Sequence, residues 1–164
     1  LYWSKVPGTL AAKTVEPDSD YIVPFGKARI VQEASEECIN TGNSMTVITY
    51  GMGVHWALNA SKEIEGKVEI IDIRTLNPLD KEAIFNSVQK HNRCLVLTED
   101  AIENSFARNI AGLIQEECFT SLEAPVMAMG SESMPAIPLN SILEQTMIPN
   151  AQKVLAKMKD LLNY

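Results

Sequence analysis

Three short runs of β-branched and aliphatic residues recur along the chain, and each is followed by a segment with the spacing of an amphipathic helix. The runs are residues 45–50, 68–73 and 93–98. Strands that are apolar on both faces are typical of parallel sheets, because helices cover such sheets on both sides. A helix between two strands also provides the crossover that a parallel pair requires. The sequence therefore predicts an α/β fold, with helices over residues 54–64, 80–90 and 106–119.

Two further segments have strand patterns. Residues 28–32 alternate like a strand but lead into an acidic, turn-prone loop over 33–43, which favours an antiparallel edge strand. A last short strand covers residues 125–130 and precedes two helices, over 139–145 and 151–162.

The domain organisation follows from these elements. Residues 1–24 are polar and contain three prolines, which predicts an N-terminal arm or linker. Over residues 25–164 we expect a single three-layer α/β domain. Its sheet is mostly parallel, has about five strands including one antiparallel edge strand, and carries helices on both faces.

Charge and hydropathy exclude several classes of function. The 164 residues carry 14 Lys and Arg against 21 Asp and Glu, a net charge of −7, so we expect no nucleic-acid partner. The longest apolar runs are far shorter than the roughly 20 residues of a membrane span, so we expect no membrane partner. Cys38, Cys94 and Cys118 lack the spacing of a zinc site, and we expect buried free thiols at the last two positions. These features favour a cytoplasmic or organelle-matrix protein.

A glycine-rich turn leaves one alternative open. Gly51 and Gly53 stand between a strand and a helix, and Asp72 follows about twenty residues later, the arrangement of a dinucleotide fingerprint. The position of the third glycine is taken by Trp56, the bulkiest side chain available. A free-standing nucleotide-binding regulatory module is therefore the alternative hypothesis, and a simple tight turn is the favoured interpretation.

The residue types that carry catalysis are sparse. The histidines are His55, in the first turn of a predicted helix, and His91, in a polar turn that we expect to be exposed. Neither has the spacing of a metal site, and the chain contains neither a GxSxG elbow nor a phosphate-binding P-loop. We therefore predict no catalytic, cofactor-binding or metal residue in this chain.

Acidic residues are concentrated in the second half of the chain. Residues 99–144 contain eight acids and a single base, Arg108, and so account for the whole net charge. Such a surface attracts a basic protein partner. The acids are Glu99, Asp100, Glu103, Glu116, Glu117, Glu123, Glu132 and Glu144.

Several stretches resemble a known family. Residues 21–28, 46–51 and 117–125, and above all the run Asp-x-Arg-Thr-Leu-x-Pro-Leu-Asp over 72–80, are similar to the β subunit of thiamine-diphosphate-dependent 2-oxoacid dehydrogenases. These are the decarboxylating components of pyruvate and branched-chain 2-oxoacid dehydrogenase complexes. The resemblance covers nearly the whole chain and implies the C-terminal, transketolase-C-like domain of that subunit.

The resemblance implies a part without catalytic residues of its own. Thiamine diphosphate and Mg²⁺ would be bound elsewhere in the parent enzyme, which decarboxylates a 2-oxoacid and passes the acyl group to a lipoyl domain. Residues 1–24 would be the linker from an upstream pyrimidine-binding domain. The location would be the cytoplasm in a bacterium and the mitochondrial matrix in a eukaryote.

The resemblance also implies partners. They are the upstream domains, an α subunit or the α part of a fused chain, a second β copy, and a basic subunit-binding domain of the acyltransferase core. We expect partner docking at Glu99, Asp100, Glu103, Glu116, Glu117 and Tyr164. We expect Gly51, Asp72, Arg74 and Pro78 to shape turns.

Overall fold

The computed structural model describes residues 17–164, and five strands within them form one sheet. The order across the sheet is β1-β3-β2-β4-β5. β1 runs antiparallel to β3, and the other pairs are parallel. The predicted sheet, including its antiparallel edge strand, is confirmed. The strands are β1 (Arg29–Gln32), β2 (Met45–Thr49), β3 (Val68–Asp72), β4 (Cys94–Ala101) and β5 (Met127–Ser131).

Helices cover both faces of the sheet, as the apolar strands require. One face packs on the second and sixth helices through Trp56 and Met158, and the other packs on the third and fourth through Ile84 and Ile110. The helices are α1 (Glu36–Asn40), α2 (Met52–Ser61), α3 (Lys81–His91), α4 (Phe106–Glu117), α5 (Ser141–Met147) and α6 (Ala151–Leu162). None of the helices in the described part of the chain is long and apolar enough to cross a bilayer.

The pleat of the strands explains how one strand serves two cores. In β4, Leu95 and Leu97 belong to the α2/α6 core, whereas Cys94 and Val96 belong to the α3/α4 core. Successive side chains of a strand point to opposite faces, so a strand buried on both sides is mostly apolar.

Polar caps fix the helix ends. The Asp80 side chain accepts a hydrogen bond from the backbone N–H of Ala83 and begins α3, as predicted. Ser105 caps α4 and Asn150 caps α6 in the same way. Asn92, with φ of 61°, ends α3 in the left-handed conformation that a short polar side chain tolerates.

The segment over residues 33–43 differs from the prediction of a loop. It contains the five-residue helix α1, because the Ser35 hydroxyl accepts a hydrogen bond from the backbone N–H of Cys38 and caps its first turn. The two acids Glu36 and Glu37 in that turn add favourable charge at the helix N-terminus. The same acids make the segment look like a loop when hydropathy alone is considered.

The loops of the domain lie at two opposite edges of the sheet. We call the side where β2–β5 end, and where β1 begins, the carboxyl edge, and the opposite side the amino edge. The loops 17–28, 73–80 and 99–105 lie at the carboxyl edge. The segment 132–150 also lies there, and Lys153 Nζ secures it by donating hydrogen bonds to carbonyls at its helix end, including Thr146 at 2.6 Å.

Candidate functional site

The turn after β3 is held together by its own side chains. The Asp72 carboxylate accepts a hydrogen bond from the backbone N–H of Arg74 at 3.0 Å, and the Thr75 hydroxyl donates to the carbonyl of Pro78 at 2.9 Å. The Asn77–Pro78 peptide bond is cis. The contact between Asp72 and Arg74 is therefore a hydrogen bond from the Arg74 backbone to the Asp72 carboxylate.

The same turn holds the chain that precedes β1. The guanidinium of Arg74 donates to the Tyr21 hydroxyl at 3.0 Å, and the Thr75 hydroxyl accepts from the backbone N–H of Gly26 at 2.9 Å. The second oxygen of Asp80 accepts from the backbone N–H of Ala28 at 2.9 Å. The Asp-x-Arg-Thr run therefore organises the carboxyl edge.

The glycine turn before α2 is shaped by packing. A Cβ at Gly53 would collide with the Thr49 hydroxyl and lie 3.3 Å from Leu97 Cγ, so this glycine permits the helix to approach the sheet. Gly51, with a φ of 60°, directly precedes α2. The first helical N–H, that of Met52, donates to the carboxylate of Glu99 at 3.2 Å.

These contacts do not fit a nucleotide or thiamine diphosphate at this turn. A diphosphate bound at a helix N-terminus takes up the free N–H groups there. Here the Glu99 carboxylate already occupies the Met52 N–H. Trp56 is only 9% exposed and packs in the α2/α6 core.

The predicted docking acids fall into two groups. Glu99, Asp100 and Glu103 are exposed at the carboxyl edge, where β4 ends. Glu116 and Glu117 are exposed at the far end of α4, at the amino edge. The twelve residues of α4 span about 18 Å, so the two groups belong to different surfaces.

Tyr164 lies with the amino-edge group. It lines a groove of about 540 Å³ together with Phe119, Glu123 and neighbouring residues of the segment 115–125. The side chains of Phe119 and Tyr164 are 69% and 65% exposed. The amino edge therefore combines two exposed aromatic rings with the carboxylates of Glu116 and Glu117.

Arg93, directly before β4, forms polar contacts with the residues around this groove. Its guanidinium pairs with Glu123 at 3.0 Å and donates to the carbonyl of Gly42 at 2.7 Å. The backbone N–H of Glu123 donates to the carbonyl of Asn92 at 2.9 Å. These bonds tie the groove to the residues that precede β2 and β4.

A buried polar cluster at the amino side corrects the prediction for His91. This residue is 2% exposed instead of lying in an exposed turn, with Nδ1 2.8 Å from the Ser44 hydroxyl and Nε2 3.3 Å from Glu69 Oε2. Lys90 and Ser87 also contact Glu69, at 2.7 and 2.6 Å. The local sequence is polar, and the burial of His91 arises from the packing of α3 on β2 and β3.

The environment of Glu69 sets its charge. Burial alone would raise the pKa of this carboxyl, but the neighbouring polar side chains of His91, Lys90 and Ser87 outweigh burial and lower the pKa to about 2. Ser44 is also buried, at 1% exposure. The Ser44–His91–Glu69 arrangement is therefore a core network, because substrate has no access to a serine buried in this way.

The thiols are placed as predicted. Cys94 and Cys118 are buried free cysteines, and burial raises the pKa of both. Within residues 17–164, no group of three His, Cys, Asp or Glu side chains is arranged to hold a metal ion.

A family profile matches most of the chain. The profile described as "Transketolase, C-terminal domain" matches residues 30–154, from β1 into α6. This chain belongs to the transketolase C-terminal domain family.

Relatives within this family include β subunits of 2-oxoacid dehydrogenases. The transketolase-C chain is 36% identical over 151 residues to the 2-oxoisovalerate dehydrogenase subunit beta of Bacillus subtilis, covering 90% of this chain and 44% of that one. It is 32% identical over 155 residues to the pyruvate dehydrogenase E1 component subunit beta of Rickettsia conorii, covering 93% and 43%. The chain thus spans less than half the length of these relatives.

The fold of the transketolase-C chain is shared with a solved structure titled "Split gene transketolase, inactive beta4 tetramer". The TM-score is 0.66, the identity is 18%, and the match covers 89% of this chain and 44% of that one. The likeness supports the fold, which agrees with the prediction made from the strand and helix pattern.

Sequence reasoning missed two features of this transketolase-C domain. One is the capping of α2 by Glu99, which joins residues 47 positions apart. The other is the Glu69–His91 network, which joins β3 to the end of α3. Both are tertiary contacts, and the signals that could have indicated them are modest: an acid at the end of β4 and a glutamate inside an apolar strand.

Proposed function

We propose that this chain is the C-terminal, non-catalytic domain of the β part of a 2-oxoacid dehydrogenase. Two relatives whose names state this activity are at least 32% identical over nine-tenths of the chain or more, which supports the assignment. The parent enzyme would decarboxylate a 2-oxoacid oxidatively and transfer the acyl group to a lipoyl domain. Thiamine diphosphate and Mg²⁺ would be held by other parts of the parent.

The amino edge is the proposed docking surface for the basic subunit-binding domain of the acyltransferase. The observation that carries this role is the 540 Å³ groove between Phe119 and Tyr164, with Glu116 and Glu117 beside it. Exposed aromatic rings supply the buried centre of an interface, and the carboxylates attract a basic partner. Glu99, Asp100 and Glu103 remain candidates for a separate contact at the carboxyl edge.

The carboxyl edge is the proposed contact surface for the upstream domains, the α part and the second β copy. Exposed apolar side chains are concentrated there, before β1 and after β5. Clustered exposed apolar side chains are typical of protein interfaces. The side chains are Tyr21, Ile22, Val23 and Phe25 on one side, and Met134, Ile137, Leu139, Ile142 and Leu143 on the other.

A charge-reversal experiment tests the docking role. Glu116→Lys/Glu117→Lys should weaken binding to the subunit-binding domain by tenfold or more at 50 mM salt, and the effect should shrink at 500 mM salt because salt screens exposed charges. The matched control is Glu36→Lys/Glu37→Lys, which reverses an equally adjacent, exposed pair in α1. Calorimetric titration measures both variants against the wild-type chain.

The outcomes are distinct. Weakened binding in the α4 variant and unchanged binding in the α1 variant, which lies at another part of the amino edge, support docking at the groove beside Glu116 and Glu117. Equal weakening in both variants means that only net charge matters, and unchanged affinity in both at low salt contradicts the proposed surface.

A further inference from the structure

A second concavity lies at the carboxyl edge, between β1 and the start of α2. It has a volume of about 560 Å³, within the range of about 300–1,000 Å³ that small-molecule sites occupy. Its polar lining includes Arg29, Arg74 and His55, and its apolar lining includes Val31, Val54 and Leu58. We propose that this groove binds a small organic carboxylate with a short aliphatic chain.

The charge of the groove is opposite to that of the chain. Two guanidinium groups, Arg29 and Arg74, face one lining carboxylate, Asp72, among the described residues, whereas the chain as a whole carries −7. Asp72 already accepts the backbone N–H of Arg74 at 3.0 Å, and Arg29 is its directly opposed partner across β1 and β3. The surplus of positive charge selects an anion.

The position of Arg74 is built into the turn. Its φ of 54° lies in the left-handed region. This conformation is unfavourable for a residue with a Cβ atom but not for glycine. Its backbone is held by Asp72 and its guanidinium by the Tyr21 hydroxyl at 3.0 Å. A guanidinium fixed at both ends is oriented before a ligand binds, which lowers the entropy lost on binding.

The apolar residues that line the groove indicate what the rest of the ligand is, beyond its charged group. A guanidinium pairs with carboxylate and with phosphate alike, in a bidentate geometry. Val23, Val31, Val54 and Leu58 form an aliphatic lining that inorganic phosphate cannot use. The combination therefore favours an aliphatic carboxylate, and the inference stands independently of docking at the amino edge. Because Val23 also belongs to the apolar patch proposed as a contact surface, a partner that covers this patch would compete with the ligand.

The N-terminus of α2 is not the anion site. Its first N–H is taken by Glu99, which approaches from the β4 side, whereas the groove lies on the β1 side of Tyr50. The two arginines, from β1 and the turn after β3, supply the recognition.

The test uses isovalerate as the probe, titrated into the full ¹⁵N-labelled chain and followed by NMR. We expect saturable shifts of amides at 29–31, 50–58 and 72–74. Arg29→Gln should weaken binding about tenfold or more, the loss expected for one charge-assisted hydrogen bond. Lys27→Gln removes the same charge two residues away, outside the lining, and should change the affinity less than twofold.

Two further probes separate the alternatives. The neutral isostere 3-methylbutanamide should bind at least tenfold more weakly than isovalerate, and inorganic phosphate should fail to produce the saturable shifts. Equal affinities of Arg29→Gln and Lys27→Gln overturn the proposal. So does binding of phosphate as tight as that of isovalerate, or linear, non-saturating shifts, provided that unchanged melting temperatures show both variants folded.

Discussion

The carboxylate of Glu99, at the end of β4, accepts a hydrogen bond from the backbone N–H of Met52, the first residue of α2, with an Oε2–N distance of 3.2 Å. Gly51, which precedes α2, has no side chain with which to cap the helix. A residue 47 positions later in the chain therefore performs the capping. The contact ties two neighbouring parallel strands together at the carboxyl edge.

Removing this cap should lower stability without affecting docking. We expect Glu99→Ala to reduce the free energy of unfolding by about 0.5–1 kcal/mol, the range for a charged group at a helix N-terminus. Glu103→Ala, at the same edge and equally exposed, should change it by less than about 0.5 kcal/mol. Urea unfolding measures both. Equal stabilities of the two variants would show that the Glu99–Met52 contact contributes nothing.

Two glycines in helices should respond to alanine in opposite directions. At Gly53 the added methyl meets the Thr49 hydroxyl, which is itself fixed by donating to the carbonyl of Leu97 at 2.9 Å. We expect Gly53→Ala to destabilise the domain by about 1–3 kcal/mol, the usual cost of overpacking.

Gly112 supplies the control within the same fold. It lies in α4 with open space where a Cβ would be, so Gly112→Ala should stabilise the domain by about 0.5–1 kcal/mol. Thermal unfolding of both variants is the measurement. Destabilisation by Gly112→Ala, or tolerance of Gly53→Ala, would be inconsistent with the packing described.

The Glu69 network predicts a specific dependence on pH. The pKa of Glu69 is lowered from 4.5 to about 2 on folding, so its contribution is fully present above pH 4.5 and is lost as pH falls from 4.5 towards 2. We expect Glu69→Gln to reduce the free energy of unfolding at pH 7 by roughly 2–4 kcal/mol, a difference that shrinks over this range.

The control for this prediction is Glu65→Gln, which changes an exposed glutamate four residues earlier. Its stability should follow that of the wild-type chain at each pH. Urea unfolding at pH 7, 4.5 and 3 provides the comparison. A constant difference between Glu69→Gln and wild type across these values would mean that the carboxylate charge is not what stabilises the fold.

The sheet could be predicted because its central strands are largely apolar on both faces. Runs such as residues 68–73 have few alternatives to a buried position, and the helices between them enforce parallel pairing. The cap at Asp80 could also be predicted, because a polar residue stands directly before a helical pattern. Local chemistry decides both features.

The positions of charged and polar side chains in space could not be predicted as well from the sequence. Residues 99–144 form one acidic block along the chain, but α4 carries the chain from one edge of the sheet to the other, so Glu103 and Glu116 lie on different surfaces. His91 looked exposed because its neighbours in the sequence are polar, but the packing of α3 on β2 and β3 buries it beside Ser44 and Glu69. Such contacts are set by tertiary packing, which a local pattern does not contain.

Hydrogen–deuterium exchange of the chain, with and without the acyltransferase subunit-binding domain, tests the central proposal most directly. The amino edge carries hydrogen-bonded amides that report on contact, including those of Ser121, Leu122 and Glu123. We predict slower exchange over residues 115–125 and the end of α6, with residues 99–105 unchanged. Protection of residues 99–105 in place of the amino edge, or unchanged exchange throughout at saturating partner, would contradict the proposed docking surface.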